Sequence, residues 1–253
     1  MQRYFIPEHY WNSDKVFITE DNAHHIIRVM RKKIGDEIIC NHPNGEAAIC
    51  TITQLTKAEV HTKITKWLED NAELPVQVTI AQGLPKGNKL ELIFQKGTEL
   101  GADEFWLFQA DRSIAKWEQK KAVQKIKRYE KIIKEASEQC HRNIVPNLKE
   151  TGTIEELLED SRHYHLRLFA YEEEARTNAY SSLSDALQTG KPNDKVIVFI
   201  GPEGGFSNEE VELLKANKCK PVRLGRRILR TETASMYLLA SISYHFEELR
   251  CKE

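Results

Sequence analysis

The chain has 253 residues, 40% hydrophobic and 30% charged, with a formal net charge of −1. This is an ordinary globular composition with room for one large or two modest domains, and its neutrality argues against indiscriminate nucleic-acid binding. No apolar stretch approaches membrane-span length, the first residues lack the apolar core of a signal peptide, and five cysteines without a CxxC pair exclude a disulfide framework or zinc cluster, so a cytoplasmic protein is expected.

In chain order, residues 3–6, 15–19 and 37–41 read as short strands. Asn44-Gly45, between 37–42 and 46–54, signals a two-residue hairpin, and a further strand is expected over 59–66. Only 22–31 reads as helix, with Ile26, Ile27 and Met30 on one face. Several short strands with one helix predict a small β-barrel or sandwich, and the polar stretch 67–75, ending in Pro75, predicts a linker.

After Pro75 the rhythm becomes strand, loop, helix. Val76, Val78 and Ile80 alternate as in a strand, residues 83–87 break it, 88–100 reads as helix and 104–109 as strand. Ala122, Ile126, Tyr129, Ile133, Ala136 and Cys140 form the apolar stripe of an amphipathic helix over 116–142. Residues 166–170 and 196–200 are apolar enough for buried parallel strands. Ser207 and Glu210 have capping-box spacing, Thr231 is a candidate cap for the last helix, and Leu238, Ile242, Phe246 and Leu249 share a face of it. The alternation predicts an α/β domain with a mainly parallel sheet. Eight Lys or Arg between 116 and 134, against Glu118 and Glu130, and a second cluster over 28–33, fit either a directed contact or a solvated helix face.

Two glycine-bearing loops follow apolar runs late in the chain: Ile200-Gly201-Pro202-Glu203-Gly204-Gly205-Phe206-Ser207 and Leu224-Gly225-Arg226-Arg227-Ile228-Leu229-Arg230-Thr231-Glu232-Thr233-Ala234. Glycine lets backbone approach a ligand, and two such loops at one sheet edge form a small-molecule site more readily than two idle turns. Neither contains GxGxxG, and GxxxxGK[ST] occurs nowhere. Ile228-Leu229, apolar between arginines, suggests a pocket wall, while Arg230 and Glu232 fit either ligand chemistry or a surface ion pair. Five histidines precede residue 70, but no carboxylate or cysteine spacing supports a metal site. A non-catalytic RNA-binding protein and a nucleotide-binding α/β enzyme remain alternatives at this level. The first would not need paired glycine loops, and the second lacks the usual lysine and acidic partners.

Over nearly its whole length the sequence resembles the SPOUT-class methyltransferases that modify ring nitrogen 3 of a uridine in bacterial small-subunit (16S) ribosomal RNA. The resemblance rests on Arg3-Tyr4-Phe5 and 25–31; on 84–87, 96–101 and Arg112-Ser113; on 138–142 leading to Val145-Pro146; and above all on 201–205, Leu224-Gly225 and 227–234. Asp111 stands where glutamate often precedes the arginine, and Ala102 where valine is common.

The resemblance implies a PUA-like β-barrel RNA-binding domain over 1–72 and a trefoil-knotted methyltransferase domain over 73–253, a homodimer, and S-adenosylmethionine as cofactor. It implies a cofactor cradle of Phe169, Ala170, Tyr171, Ile200, Gly201, Gly204, Gly205, Leu224, Gly225, Ile228 and Leu229. Candidate RNA contacts are Arg3, Arg28, Arg31, Lys86, Lys89, Arg112 and Arg142. Arg230 is the candidate for stabilising charge on an ionising uracil, with Glu232 either accepting its proton or orienting Arg230.

Overall fold

The computed structural model describes residues 1–69, 71–115, 117, 119–171 and 182–249. Lys116 and Glu118 of the basic run, and Cys251, lie outside the described residues. The chain forms two compact units, Met1–Glu73 with Ser137–Val145, and Leu74–Ala136 with Pro146–Glu253. Among the described residues no helix is long and apolar enough to cross a membrane.

The first unit is a curled six-stranded sheet. Its strands are β1 (Arg3–Phe5), β2 (Trp11–Asn12), β3 (Lys15–Ile18), β4 (Glu37–Asn41), β5 (Ala47–Leu55) and β6 (Val60–Leu68), in the order β1-β4-β5-β6-β3-β2. The ladder is open, with β1 and β2 outermost, and only β1–β4 is parallel. Curling follows from register shifts in β5–β6 at Ile49/Cys50 and Ile52/Gln54, since a bulge bends its strand. Ala48, Cys50 and Ile52 alternate inward to meet Tyr4, Val16, Ile18 and Ile38 in one core. The expected helix is α1 (Glu20–His24) running into a π-helical turn, His25–Val29.

Three sequence expectations need correction here. The β4–β5 hairpin closes through a three-residue loop: His42 N–H donates to Glu46 O (2.8 Å), Gly45 N–H to His42 O (3.0 Å), and Gly45 takes a φ of +91°. The expected linker begins too early, because Trp67 and Leu68 belong to β6 and Trp67 stacks on Trp11 with ring centroids 5.8 Å apart. Arg3 and Arg142 are internal, at 5% and 3% exposure. Arg3 donates to Arg142 O (3.0 Å) and Asn143 Oδ1 (2.8 Å), and Arg142 pairs with Glu73. Burial lowers the Arg3 pKa, so its neighbours matter: carbonyl and amide acceptors compensate a buried guanidinium. These two arginines hold residues 137–145 in the unit and cannot offer their charge to a phosphate.

The second unit is an all-parallel sheet of β7 (Gln77–Gly83), β8 (Glu104–Phe108), β9 (Asn147–Gly152), β10 (Leu166–Ala170), β11 (Lys195–Ile200) and β12 (Lys220–Val222), in the order β12-β10-β11-β7-β8-β9. Its helices are α2 (Lys89–Glu99), α3 (Gln119–Gln139), α4 (Ile154–Asp160), α5 (Leu183–Gln188), α6 (Asn208–Ala216) and α7 (Thr231–Ser243). Every residue from Val196 to Ile200 is buried, as a strand covered on both faces requires. Ile197 and Phe199 join Phe108, Phe169, Leu157 of α4 and Val211 of α6 in one cluster. The chain runs outward from β7 through β8 and β9, then returns to the other side of β7 for β10 to β12. The strand order reverses at β7/β11, a position where α/β folds place ligands beyond the strands' carboxyl ends.

Ser207 and Glu210 form the expected capping box at α6, with Glu210 N–H donating to Ser207 Oγ at 3.1 Å. Thr153 and Glu156 build another at α4, outside the elements expected from the sequence. Thr231 does not cap α7. Arg230 occupies the cap position, and the Thr231 hydroxyl turns elsewhere. Leu238, Ile242 and Phe246 are buried, but Leu249 is exposed because the chain after Ser243 winds as a π-helical turn, Tyr244–Leu249, which shifts the face.

Candidate functional site

Beyond the carboxyl ends of β10, β11 and β12 lies a cavity of about 430 Å³, within the usual range for a small-molecule site. Both glycine loops line it. The first contributes Ile200 to Phe206, the second Leu224, Gly225 and Arg227 to Thr231, and Ala170 with Tyr171 complete the wall. Ten of the eleven expected cradle residues thus come together. Phe169 lies behind the wall, fully buried and edge-on to Phe206 at 6.0 Å between centroids. Ile228 is 65% exposed, an apolar side chain available to cover a ligand.

The first loop is held from several directions. Gly205 N–H donates to Pro202 O (2.9 Å), and Gly205 takes a φ of +69° that disfavours any side chain. A Cβ on Gly204 would meet Arg112 Cβ at 2.9 Å, so the loop fits tightly against Arg112, whose guanidinium donates to Gly204 O at 3.1 Å. Ser207 Oγ donates to Asp111 Oδ2 (2.6 Å). Glu203 accepts from Lys86 N–H (3.1 Å) and Lys89 Nζ (2.5 Å). Burial works against its ionisation, but the bonds from Lys89 and Lys86 prevail and hold the carboxyl below its ordinary value of 4.5.

The second loop is tied to the first by a buried relay. Thr231 Oγ1 donates to Gly201 O (2.7 Å) and accepts from Gln82 Nε2 (2.8 Å), while Ser235 Oγ donates to Gln82 Oε1 (3.1 Å). Gln82, on β7, carries no local sequence signal for this, since its partners lie some 150 residues away.

Arg230 lines the cavity at the start of α7, exposed, with no side-chain hydrogen bond or ion pair among the described residues. Glu232 is in the first turn of α7 but does not pair with Arg230. The cation near it is Lys89, at 3.8 Å from Oε2, and that oxygen is buried without a hydrogen-bond partner. Of the expected RNA contacts, Arg28 and Arg31 are exposed in the first unit. Lys86 is exposed in the second, and Arg112 and Lys89 line the cavity. Pro202, Glu203, Phe206, Asn208 and Arg227 also line the cavity, and four of them lie within the two glycine loops, where the motif alone does not separate lining residues from neighbours. A second depression of about 530 Å³ lies along α5 and α7, beside exposed Tyr237, Tyr244 and Leu249. Among the described residues no cluster of His, Cys, Asp or Glu could hold a metal ion.

This architecture has close counterparts. The RNA methyltransferase domain family matches residues 72–243, and the RNA methyltransferase PUA domain family matches 18–65. Ribosomal RNA small subunit methyltransferase E of Bacillus subtilis (strain 168) is 42% identical over 253 residues, 99% of each chain. The structure of Ribosomal RNA small subunit methyltransferase E from Neisseria gonorrhoeae bound to S-adenosyl methionine superposes with a TM-score of 0.85 at 25% identity, covering 97% of this chain and 98% of that one. A Legionella pneumophila protein solved with the cofactor S-adenosylmethionine gives 0.82 at 28% identity, covering 96% and 97%.

Proposed function

The chain belongs to the RNA methyltransferase family that includes ribosomal RNA small subunit methyltransferase E, and from that premise we propose that it transfers a methyl group to ring nitrogen 3 of a uridine in 16S ribosomal RNA. It is an S-adenosylmethionine-dependent methyltransferase acting on small-subunit ribosomal RNA. The observation that carries the uridine reading is a cavity walled by two glycine loops with the Arg230 side chain, unpaired among the described residues, at its rim and at the head of α7.

The residues fit the cofactor. Gly205, where a Cβ would meet nothing within 4 Å, leaves backbone open to a ligand, and the Ile228-Leu229 wall supplies apolar cover. When bound, the cofactor supplies a methyl group on a sulfonium, electrophilic without protein activation. The chain's own task is then positioning and one proton. Uracil N3–H is a weak nucleophile until its proton leaves, and Glu232 is the carboxylate we assign to receive it. Once that proton has left, the nitrogen lone pair would be free to receive the methyl group, and charge developing on the flanking carbonyls would meet the Arg230 guanidinium and the α7 N-terminus.

Residues 1–72 are assigned as the RNA-binding domain and 73–253 as the methyltransferase domain. Arg28, Arg31, Lys86 and Arg112 are our phosphate contacts, supported by exposed or cavity-lining positions. Arg3 and Arg142 are withdrawn from that set. A homodimer fits the exposed Tyr237, Tyr244 and Leu249 beside the second depression. The trefoil knot of the resembling family and a cytoplasmic location, where ribosomal subunits are built, complete the reading. The test is Arg230→Ala. Turnover should vanish while isothermal titration finds cofactor affinity nearly intact. Equal loss of cofactor binding would refute the division between cradle and catalytic edge.

A further inference from the structure

Lys89 does not look like a phosphate contact once its surroundings are known. Its side chain is 28% exposed, its ammonium lies 2.5 Å from Glu203 Oε1 and 3.8 Å from Glu232 Oε2, and a phosphate brought there would face two carboxylates. Glu203 belongs to the first glycine loop and Glu232 to the opening turn of α7, so one cation spans the cofactor wall and the candidate proton acceptor. Among the described residues the buried Oε2 of Glu232 has no hydrogen-bond partner, so the Lys89 ammonium is the charge that compensates it, because an unsatisfied buried acceptor is costly.

We propose that Lys89 is a positioning residue for methyl transfer: by bridging Glu203 to the buried Oε2 of Glu232 it fixes that carboxylate relative to the cofactor loop, leaving Oε1 to accept the uracil N–H proton. An ammonium has three donors, and Glu203 uses one at hydrogen-bond distance. Its charge holds Glu232 Oε2 at 3.8 Å, an ion-pair distance beyond hydrogen bonding. The Lys86 N–H keeps its own hold on Glu203, so losing Lys89 frees Glu232 more than it frees the loop. The inference rests on the assignment of Glu232 as proton acceptor.

The experiment uses the full chain with Lys89→Met, Lys89→Arg, Glu232→Gln and the Lys89→Met/Glu232→Gln double variant, with unmethylated small ribosomal subunits as substrate. Three quantities are read: single-turnover rate, S-adenosylmethionine affinity, and the salt dependence of particle binding. Lys89→Met should slow methyl transfer on the order of 10²-fold, as misplacing a catalytic group by about an ångström does. Cofactor affinity should stay within about fivefold, since one partly exposed ion pair is lost. The salt slope should not change, Lys89→Arg should recover most of the rate, and Lys89→Met should add nothing to Glu232→Gln. A Lys89→Met variant that transfers normally but loses about 0.7–0.9 from its log–log salt slope is a phosphate contact, and the proposal falls. Additive slowing in the double variant overturns it too. A slow Glu232→Gln beside an unimpaired Lys89→Met removes the bridge alone, whereas Glu232→Gln at wild-type rate removes the proton-acceptor reading beneath it.

Discussion

Thr231→Val isolates the relay that joins the two glycine loops. Valine keeps the shape of the side chain, which is only 6% exposed, and deletes the hydroxyl. Gly201 O then loses its donor at 2.7 Å, and one N–H of Gln82 loses its acceptor at 2.8 Å, while the other N–H keeps Gly83 O at 2.9 Å. Leaving a buried polar group unsatisfied costs about 1–3 kcal/mol. Gln82 is fully buried but Gly201 only partly so, which puts the sum at the lower end, about 2–3 kcal/mol. For a unit of this size that is a fall in Tm of roughly 5–10 °C. Gly201 also lines the cavity, so part of the loss reappears in binding, and about 1.4 kcal/mol of it weakens cofactor affinity tenfold. Calorimetric melting and isothermal titration read the two effects. Gln82→Leu in the same background should then cost less than it does alone, with a coupling of about 0.5–3 kcal/mol. A Thr231→Val protein that melts and binds cofactor like the wild type would refute the claim that this relay sets the loop geometry.

Glu203→Gln tests the other tether. A carboxyl held below its ordinary value stabilises the fold fully above that value, and the contribution disappears as pH falls through the depressed folded value. Wild-type stability should therefore drop below about pH 4.5 more steeply than that of Glu203→Gln, by parallel thermal melts, and identical acid limbs would count against the tether. Arg28→Ala and Arg31→Ala should each reduce the log–log salt slope of RNA binding by about 0.7–0.9 and leave cofactor affinity alone, measured by fluorescence anisotropy at several salt concentrations. An unchanged slope would take that arginine out of the RNA contact set.

How far the sequence reading reached follows from where each signal lives. The capping box at Ser207, the buried strands at 166–170 and 196–200, and the glycine loops were legible because their causes are local. Thr153 and Glu156 carry the same capping signature at α4, so that helix too has a local cause. Thr231 resembled a cap because its type favours caps, yet its hydroxyl is claimed by Gln82 and Gly201, remote in sequence. Arg3 and Arg142 show the same limit in reverse. An arginine in a segment that resembles an RNA-binding domain looks solvated until its partners, some 70 to 140 residues away, are known. Trp67 fell in a polar stretch, but its ladder pairing with Ala48 makes it strand, and its ring stacks on Trp11. In the site, the composition of each loop was readable, whereas the Lys89–Glu203–Glu232 cluster required three distant segments to meet.

The central claim is chemical, and mapping the product tests it most directly. Purified protein, labelled S-adenosylmethionine and unmethylated small ribosomal subunits should yield one methyl group per particle, carried by a uridine in 16S ribosomal RNA and located on ring nitrogen 3 by mass spectrometry of the nucleosides. Label on another base, on ribose or on ribosomal protein would contradict the account.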